Sequence, residues 1–375
     1  MRRRTFIAGT AAGAAMLAGC TGDSDTPTPT DGGGTPTSTA DQSYSVEMAP
    51  VGEVTLESVP ESVAHYFPGY ADMAVALGHG DSINSVGLPS RYHTDAYAEL
   101  DGVSVDTSSM TELVGDSGID KEVFLELDSD LHMIDPKWLT NNAFFGLEES
   151  DVEQLSEAVA PFLGNTIFRR TDTWHDYRYY SMYEAFEKVA EAYQERERFE
   201  AFREFHDAVI ADVQTDLPPA TERPNGLLCF AADDEPEAFS PYRISGKGTN
   251  KKQFHDLGIT DALAGSGVEG LSESNRGKID YETMLEVDPD SILVRGHESK
   301  SREEFQDTVV AFMENHDTAS QLRAVEAGNV FRGGPIYEGP VQNLFLTERY
   351  ATLYFPEQFS GDLFDREELA GIITG

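Results

Sequence analysis

The chain is 375 residues long and carries 67 Asp and Glu against 27 Lys and Arg, a net charge of −40. Acid spread along the whole length excludes nucleic acid and anionic membrane surfaces as partners. It also repels itself in dilute buffer, whereas at about 1 M salt the Debye length is only about 3 Å, so the composition predicts a protein from a salt-loving organism.

The first segment in chain order is not part of the fold. "MRRRTFIAGTAAGAAMLAGC" opens with Arg3 and Arg4 ahead of a short Ala- and Gly-rich apolar run, too short to span a bilayer well. It reads as a twin-arginine export signal over residues 1–19. Leu17-Ala18-Gly19-Cys20 resembles a lipobox, in which Cys20 takes the lipid and becomes the mature N-terminus. Residues 20–45, rich in Thr, Pro, Gly, Ser and Asp, cannot bury enough surface to order themselves and read as a flexible tether. Lipid, tether and body together predict a protein held at the outer face of the cell membrane.

The body exceeds what one core usually holds, so two lobes are expected. In residues 46–175, "SVAHYFP" reads as a strand running into the helical "GYADMAVALG". "INSVGLP" and "DSDLHMIDP" hold further strands, and "SDVEQLSEAVAPF" a helix with Ser150 as its N-cap. Over 176–217, apolar residues from Tyr179 to Val213 recur every three or four positions, predicting a long linking helix with a weak point near Gln194–Arg198. Residues 218–375 form the second lobe, opening on "NGLLCFAA" and closing with a last helix near Val341–Leu353. Cys229 falls in an apolar run, a buried strand position; with Cys20 lipidated, no disulfide is available.

One phrase occurs twice. "IDKEVFLELDSDLHMI" from Ile119 and "IDYETMLEVDPDSILV" from Ile279 are identical at seven of sixteen positions. Each reads as helix, turn and buried strand, one unit of a parallel sheet. Glu122 and Glu282 fall in the first helical turn, where exposed N–H groups favour a carboxylate.

In open α/β sheets, ligands bind beyond the carboxyl ends of the strands, which predicts a cleft between the facing loops of the two lobes. Those loops supply Tyr66, Arg91, Tyr92 and Trp138 from the first lobe, and Tyr242, Arg243, Arg276, Arg295 and Tyr337 from the second. Arginine suits anionic groups, and flat aromatic faces suit rings. The nine His are scattered without metal-ligand spacing, and "GDSG" at Gly115–Gly118 lies in a polar turn without evident His and Asp partners. No phosphate-cradling loop is present, so an ATPase would be another subunit.

Over roughly residues 54–350 this order resembles the periplasmic binding proteins that serve importers of iron-siderophores, haem and cobalamin. Each lobe of that family carries a segment of the form E-x-x-l-a-l-x-P-D-l-i. Glu122–Asp130 fits except for Ser129 in place of Pro, and Glu282–Asp290 fits throughout. "GYADMAVALG" resembles the family's first helix, and "AVEAGNVF" its late A-v-k-n-G-x-V element. The resemblance implies two Rossmann-like α/β lobes with a ligand cleft between them, joined by a long α-helix, the class III binding-protein architecture. It implies no enzymatic activity and no cofactor. Glu122 and Glu282 would each meet an arginine of an ABC permease, and the chain would work as a monomer with permease and ATPase subunits as partners. A ferric siderophore is the favoured cargo. Cobalamin and haem stay open, as does a membrane-anchored haem receptor or electron-transfer protein using His65, Tyr66, His93 or His297.

Overall fold

The computed structural model describes residues 43–266 and 277–375; the segment expected as an export signal, Cys20, most of the expected tether and Arg276 lie outside the described residues. An N-terminal antiparallel hairpin, β1 (Tyr44–Met48) and β2 (Gly52–Leu56), precedes the first main sheet. That sheet is wholly parallel in the order β5–β4–β3–β6, from β3 (Val63–His65), β4 (Ile83–Val86), β5 (Thr111–Glu112) and β6 (Leu131–Met133). The second sheet contains β7 (Asn225–Phe230), β8 (Ser240–Tyr242), β9 (Thr260–Asp261), β10 (Ser291–Arg295) and β11 (Val330–Arg332). Its order is β11–β10–β7–β8, with β9 also pairing β7, and only β8 runs antiparallel.

The second sheet shows why its strands read as unbroken apolar runs. Leu227 and Cys229 pack with Ile292 and Val294 in one cluster, while Leu228 packs with Leu293 in another. Both faces are covered, so period-2 alternation has no polar side to display. Among the described residues no helix is long and apolar enough to cross a membrane.

The repeated phrase folds identically in both lobes, and most of its shared letters have a backbone task. Asp120 and Asp280 cap the helices Lys121–Leu127 and Tyr281–Val287, accepting from Glu122 N and Thr283 N. Asp128 and Asp288 end those helices in left-handed geometry, at φ 46° and 47°, a conformation that Asp tolerates better than most side chains. Asp130 accepts from Glu61 N and Ser62 N at 2.9 Å, and Asp290 from Asn225 N at 2.9 Å. Each thus ties its own strand to the start of the neighbouring central strand. Ser129, standing where the second copy has Pro, receives a hydrogen bond from Asn84. Glu122 and Glu282 have no such task and are exposed.

The stretch expected as one long helix is two. Met182–Tyr193 ends at Gln194, which is left-handed at φ 56°, and Arg196–Asp216 follows. The earlier helix Glu149–Ala158 starts with Glu148 as cap, not Ser150, because Asp151 reaches back to Glu148 N to close a capping box. Beyond the expected last helix, found as Pro340–Tyr354, the chain adds Arg366–Thr374.

Two helices are shared by both lobes. Phe199, Phe202, Phe205 and Val209 of Arg196–Asp216 pack in the first lobe's core, and Val213 packs under the second sheet. In Pro340–Tyr354, Val341 and Leu344 pack in the first core, while Leu346, Tyr350 and Ala351 join the second. The fully buried Asp72 of the helix Pro68–Ala76 accepts from Val341 N at 2.8 Å, placing a carboxyl at the N-terminus of that shared helix. Gly339 is required there, because a Cβ would lie 2.5 Å from Asp72 Oδ2 and Gly69 O.

Candidate ligand cleft

A cleft of about 710 Å³ opens where the carboxyl ends of both sheets face each other, within the range of ligand pockets. Tyr66 follows β3, Leu88 and Arg91 follow β4, Val114 follows β5, and Trp138 lies just after β6. From the second sheet come Phe230 at the end of β7, Tyr242 and Arg243 at β8, and Ile336 and Tyr337 after β11.

The floor is aromatic. Trp138 stands 5.8 Å from Tyr66, 6.0 Å from Phe145 and 5.5 Å from Phe168, ring centre to ring centre, and Phe168 is 4.9 Å from Tyr337. All these contacts are edge-to-face, the geometry that ring quadrupoles favour. Trp138 is held there by Asp135, a fully buried N-cap that accepts from Lys137 N, Thr166 N, Thr166 Oγ1 and Tyr177 Oη. That one carboxyl joins the helix carrying Trp138 to the segment carrying Phe168, Arg169 and Arg170.

The walls are cationic. Arg91, Arg169, Arg170, Arg243, Lys247 and Lys251 line the cleft, and no Asp or Glu does among the described residues. The Arg169 guanidinium lies 5.2 Å from the Trp138 ring centre and 5.1 Å from that of Phe168, and pairs through two nitrogens with Asp172. Lys251 is 3 % exposed and donates to Lys247 O at 2.9 Å; burial and the neighbouring Arg295 bring its ammonium down to about 7. Burial raises the Tyr337 phenol, with Arg91 and Arg169 pulling the other way. In a chain this acidic, a basic cleft focuses the field on anionic ligands.

Of the residues expected from sequence, Tyr66, Arg91, Trp138, Tyr242, Arg243 and Tyr337 line the cleft. Tyr92 does not: it is buried, with its hydroxyl 3.1 Å from that of Tyr97, which donates to Asp72. Arg295 does not either. It is fully buried, donates to Gly333 O and Asn250 O, and sits with its guanidinium 5.2 Å from the Tyr242 ring centre. Its aliphatic stem occupies the space that a side chain at position 333 would need, since a Cβ there would lie 2.8 Å from Arg295 Cγ. Sequence reasoning missed Phe144, Phe145, Phe168, Arg169 and Arg170, and did not single out Lys247 or Lys251 within their loop. The adjacent arginines of "FRRTD" were a usable signal in so acidic a chain.

A two-lobed α/β body with helices shared between the lobes and a ligand-sized cleft at the facing strand ends defines a solute-binding protein. The chain belongs to the periplasmic binding protein family, whose model matches residues 63–337. This is a family of solute-binding proteins that work outside the cytoplasm. No curated protein matches the chain significantly. Among solved structures, the petrobactin-binding protein YclQ from Bacillus subtilis is 17 % identical, with a TM-score of 0.56 over 84 % of this chain and 99 % of that one. The iron uptake ABC transporter substrate-binding protein PiuA from Streptococcus pneumoniae is 15 % identical, with a TM-score of 0.56 over 82 % and 97 %. Staphylococcus aureus SirA, solved with staphyloferrin B, is 15 % identical, with a TM-score of 0.55 over 83 % and 98 %. At such identities the likeness is one of fold.

Proposed function

We propose that the protein is the extracytoplasmic solute-binding component of an ABC importer, capturing a ferric-siderophore-type chelate and delivering it to the permease. The observation that carries this reading is the cleft itself: an aromatic floor beneath six cationic side chains, in a protein with a net charge of −40. Solved neighbours that bind petrobactin or staphyloferrin B, or serve iron uptake, support the choice of cargo. Of the four side chains a haem reading would use, His65, His93 and His297 are not among the cleft-lining residues and only Tyr66 is. Tyr66, Arg91, Trp138, Tyr242, Arg243 and Tyr337 are the proposed contacts, with Arg169, Arg170, Lys247 and Lys251 added; Tyr92 and Arg295 are not carried forward, and Arg276, outside the described residues, stays a proposed contact. The test is tryptophan fluorescence. Trp138 forms part of the floor, so an apo-protein titrated with ferric chelates should change its emission saturably, and no response to any chelate would sink the reading.

Glu122 and Glu282, exposed and equivalent on the two lobes, are the proposed contacts to the permease. Cys20 is the proposed lipid anchor, with the 20–45 segment as tether. A Cys20→Ser chain should leave the membrane fraction for the medium, and its retention would rule the anchor out. The acidity is proposed to be an adaptation to salt: circular dichroism should show structure lost below about 0.1 M salt and regained near 1 M, where repulsion is screened. A fully folded protein in dilute buffer would contradict this.

A further inference from the structure

The proposed function leaves the class of chelate open, and the charge pairing in the cleft narrows it. Two of the six cations are already matched by carboxylates: Arg169 by Asp172 at 2.6 Å, and Arg243 by Asp261 at 3.0 Å. The other four, Arg91, Arg170, Lys247 and Lys251, have no ion pair among the described residues. Arg170 Nη1 is moreover buried without a hydrogen-bond acceptor. A chain with 67 Asp and Glu has carboxylates in plenty, yet the half-buried Arg170 has none paired with it among the described residues, so its desolvation is left without a compensating charge, while Arg91 and Lys247 stand exposed at the cleft and ready to meet an anion. An incoming anion of comparable charge offsets that desolvation.

The apolar side carries a second, independent feature. Phe144 is 53 % exposed, the most exposed large hydrophobic side chain among the described residues, and it lines this cleft beside Phe145. Its ring is 6.2 Å from that of Phe145 and so continues the edge-to-face floor out to the rim. A bare aromatic face at the mouth of a basic cleft is surface that a ring-bearing ligand would cover.

Resting on the ferric-chelate reading, we infer that the cleft selects polyanionic chelates whose outer surface is aryl, the catecholate type, with Phe144 as the residue that reads the ring and Arg170 and Lys247 as residues that read the charge. A ferric tris-catecholate is a trianion with aryl edges turned outward, which meets both features. A ferric citrate complex meets only the charge, and a ferric hydroxamate, neutral or cationic, meets neither.

Equilibrium dialysis of the exported protein with iron quantification, at fixed salt, tests this with three probes: the ferric tris complex of N-ethyl-2,3-dihydroxybenzamide, ferric citrate and ferrioxamine B. The catecholate should bind at least tenfold tighter than citrate and at least a hundredfold tighter than the hydroxamate. Phe144→Ala should narrow the preference for catecholate over citrate about fivefold, whereas Arg170→Ala with Lys247→Ala should weaken both anions tenfold or more. Citrate or hydroxamate binding tightest, or Phe144→Ala weakening catecholate and citrate equally, overturns the inference while leaving the ferric-chelate reading standing. Binding of none of the three overturns that reading and the inference with it.

Discussion

Replacing Glu122 and Glu282 together by alanine is expected to abolish uptake of the chelate while leaving its affinity for the purified protein unchanged. Both side chains are exposed on the second residue of a seven-residue helix, one in each lobe, each helix capped by an Asp and ended by an Asp in left-handed geometry. The shared acids at the caps and strand ties, Asp120, Asp280, Asp130 and Asp290, accept from backbone N–H groups, whereas Glu122 and Glu282 stand exposed in the first helical turn, free to face a partner. The loss of a first-turn carboxylate costs a helix about 0.3–1 kcal/mol, too little to unfold the lobes. A deficit in uptake therefore reports docking. Single substitutions should give intermediate uptake, because one lobe still engages. The measurement is accumulation of labelled iron in cells carrying the variant, beside dialysis with the same chelate. Wild-type uptake by the double variant would refute docking through these acids, and lost affinity would refute the division of labour between lobe faces and cleft.

Glu338→Gln should make the protein more stable at alkaline pH and change it little at pH 5. Glu338 follows cleft residue Tyr337, is 1 % exposed, and accepts from Asn343 Nδ2 at 3.2 Å and Gln253 Nε2 at 3.1 Å. Burial raises its pKa from 4.5 to about 8, with Arg295 and the two amides pulling the other way. The sign follows from proton counting. Below about pH 4.5 the folded and unfolded chains both hold the proton. Between 4.5 and 8 the folded chain holds a proton that the unfolded chain has released, so stability falls as pH rises through that window and then levels off. A shift of this size corresponds to on the order of 5 kcal/mol, or about 7 °C in melting temperature for a body of this length. Glutamine fits without strain, because Asn343 Oδ1 and Gln253 Oε1 are both buried without a partner and either amide can turn to accept from it. Melting curves of both proteins from pH 5 to 9 check this. Parallel curves would show that the carboxyl is ionised throughout.

The backbone plan was legible because it is written locally. Strands β3, β4, β6 and β7, the helix after β3 and the weak point at Gln194 all depend on residues within a turn or two of one another. The repeated phrase was legible for the same reason, and the structure sharpens it: Asp130 and Asp290 turn out to anchor the neighbouring strand, a role no local pattern announces. The cleft was only partly legible. Arg295 stands at the end of a strand, where a loop residue would face the ligand, yet β10 runs through it and the absence of a side chain at Gly333 lets its stem fold inward. Arg169 and Arg170 were missed, because their position depends on Asp135 gripping Thr166 and Tyr177 from another segment.

By itself, the sequence determined the α/β class, the two-lobe plan, where several of the central strands lie, and the acidity that argues against polyanionic macromolecules as partners, all properties of short segments or of composition. Only the tertiary structure decided which cations and rings meet in the cleft, which arginine is buried instead, and which two helices both lobes share. The reason is physical: facing is set by contacts between segments far apart in the chain, such as Asp135 with Thr166 and Tyr177, and a side chain's neighbours across a cleft leave no mark on the residues beside it in the chain.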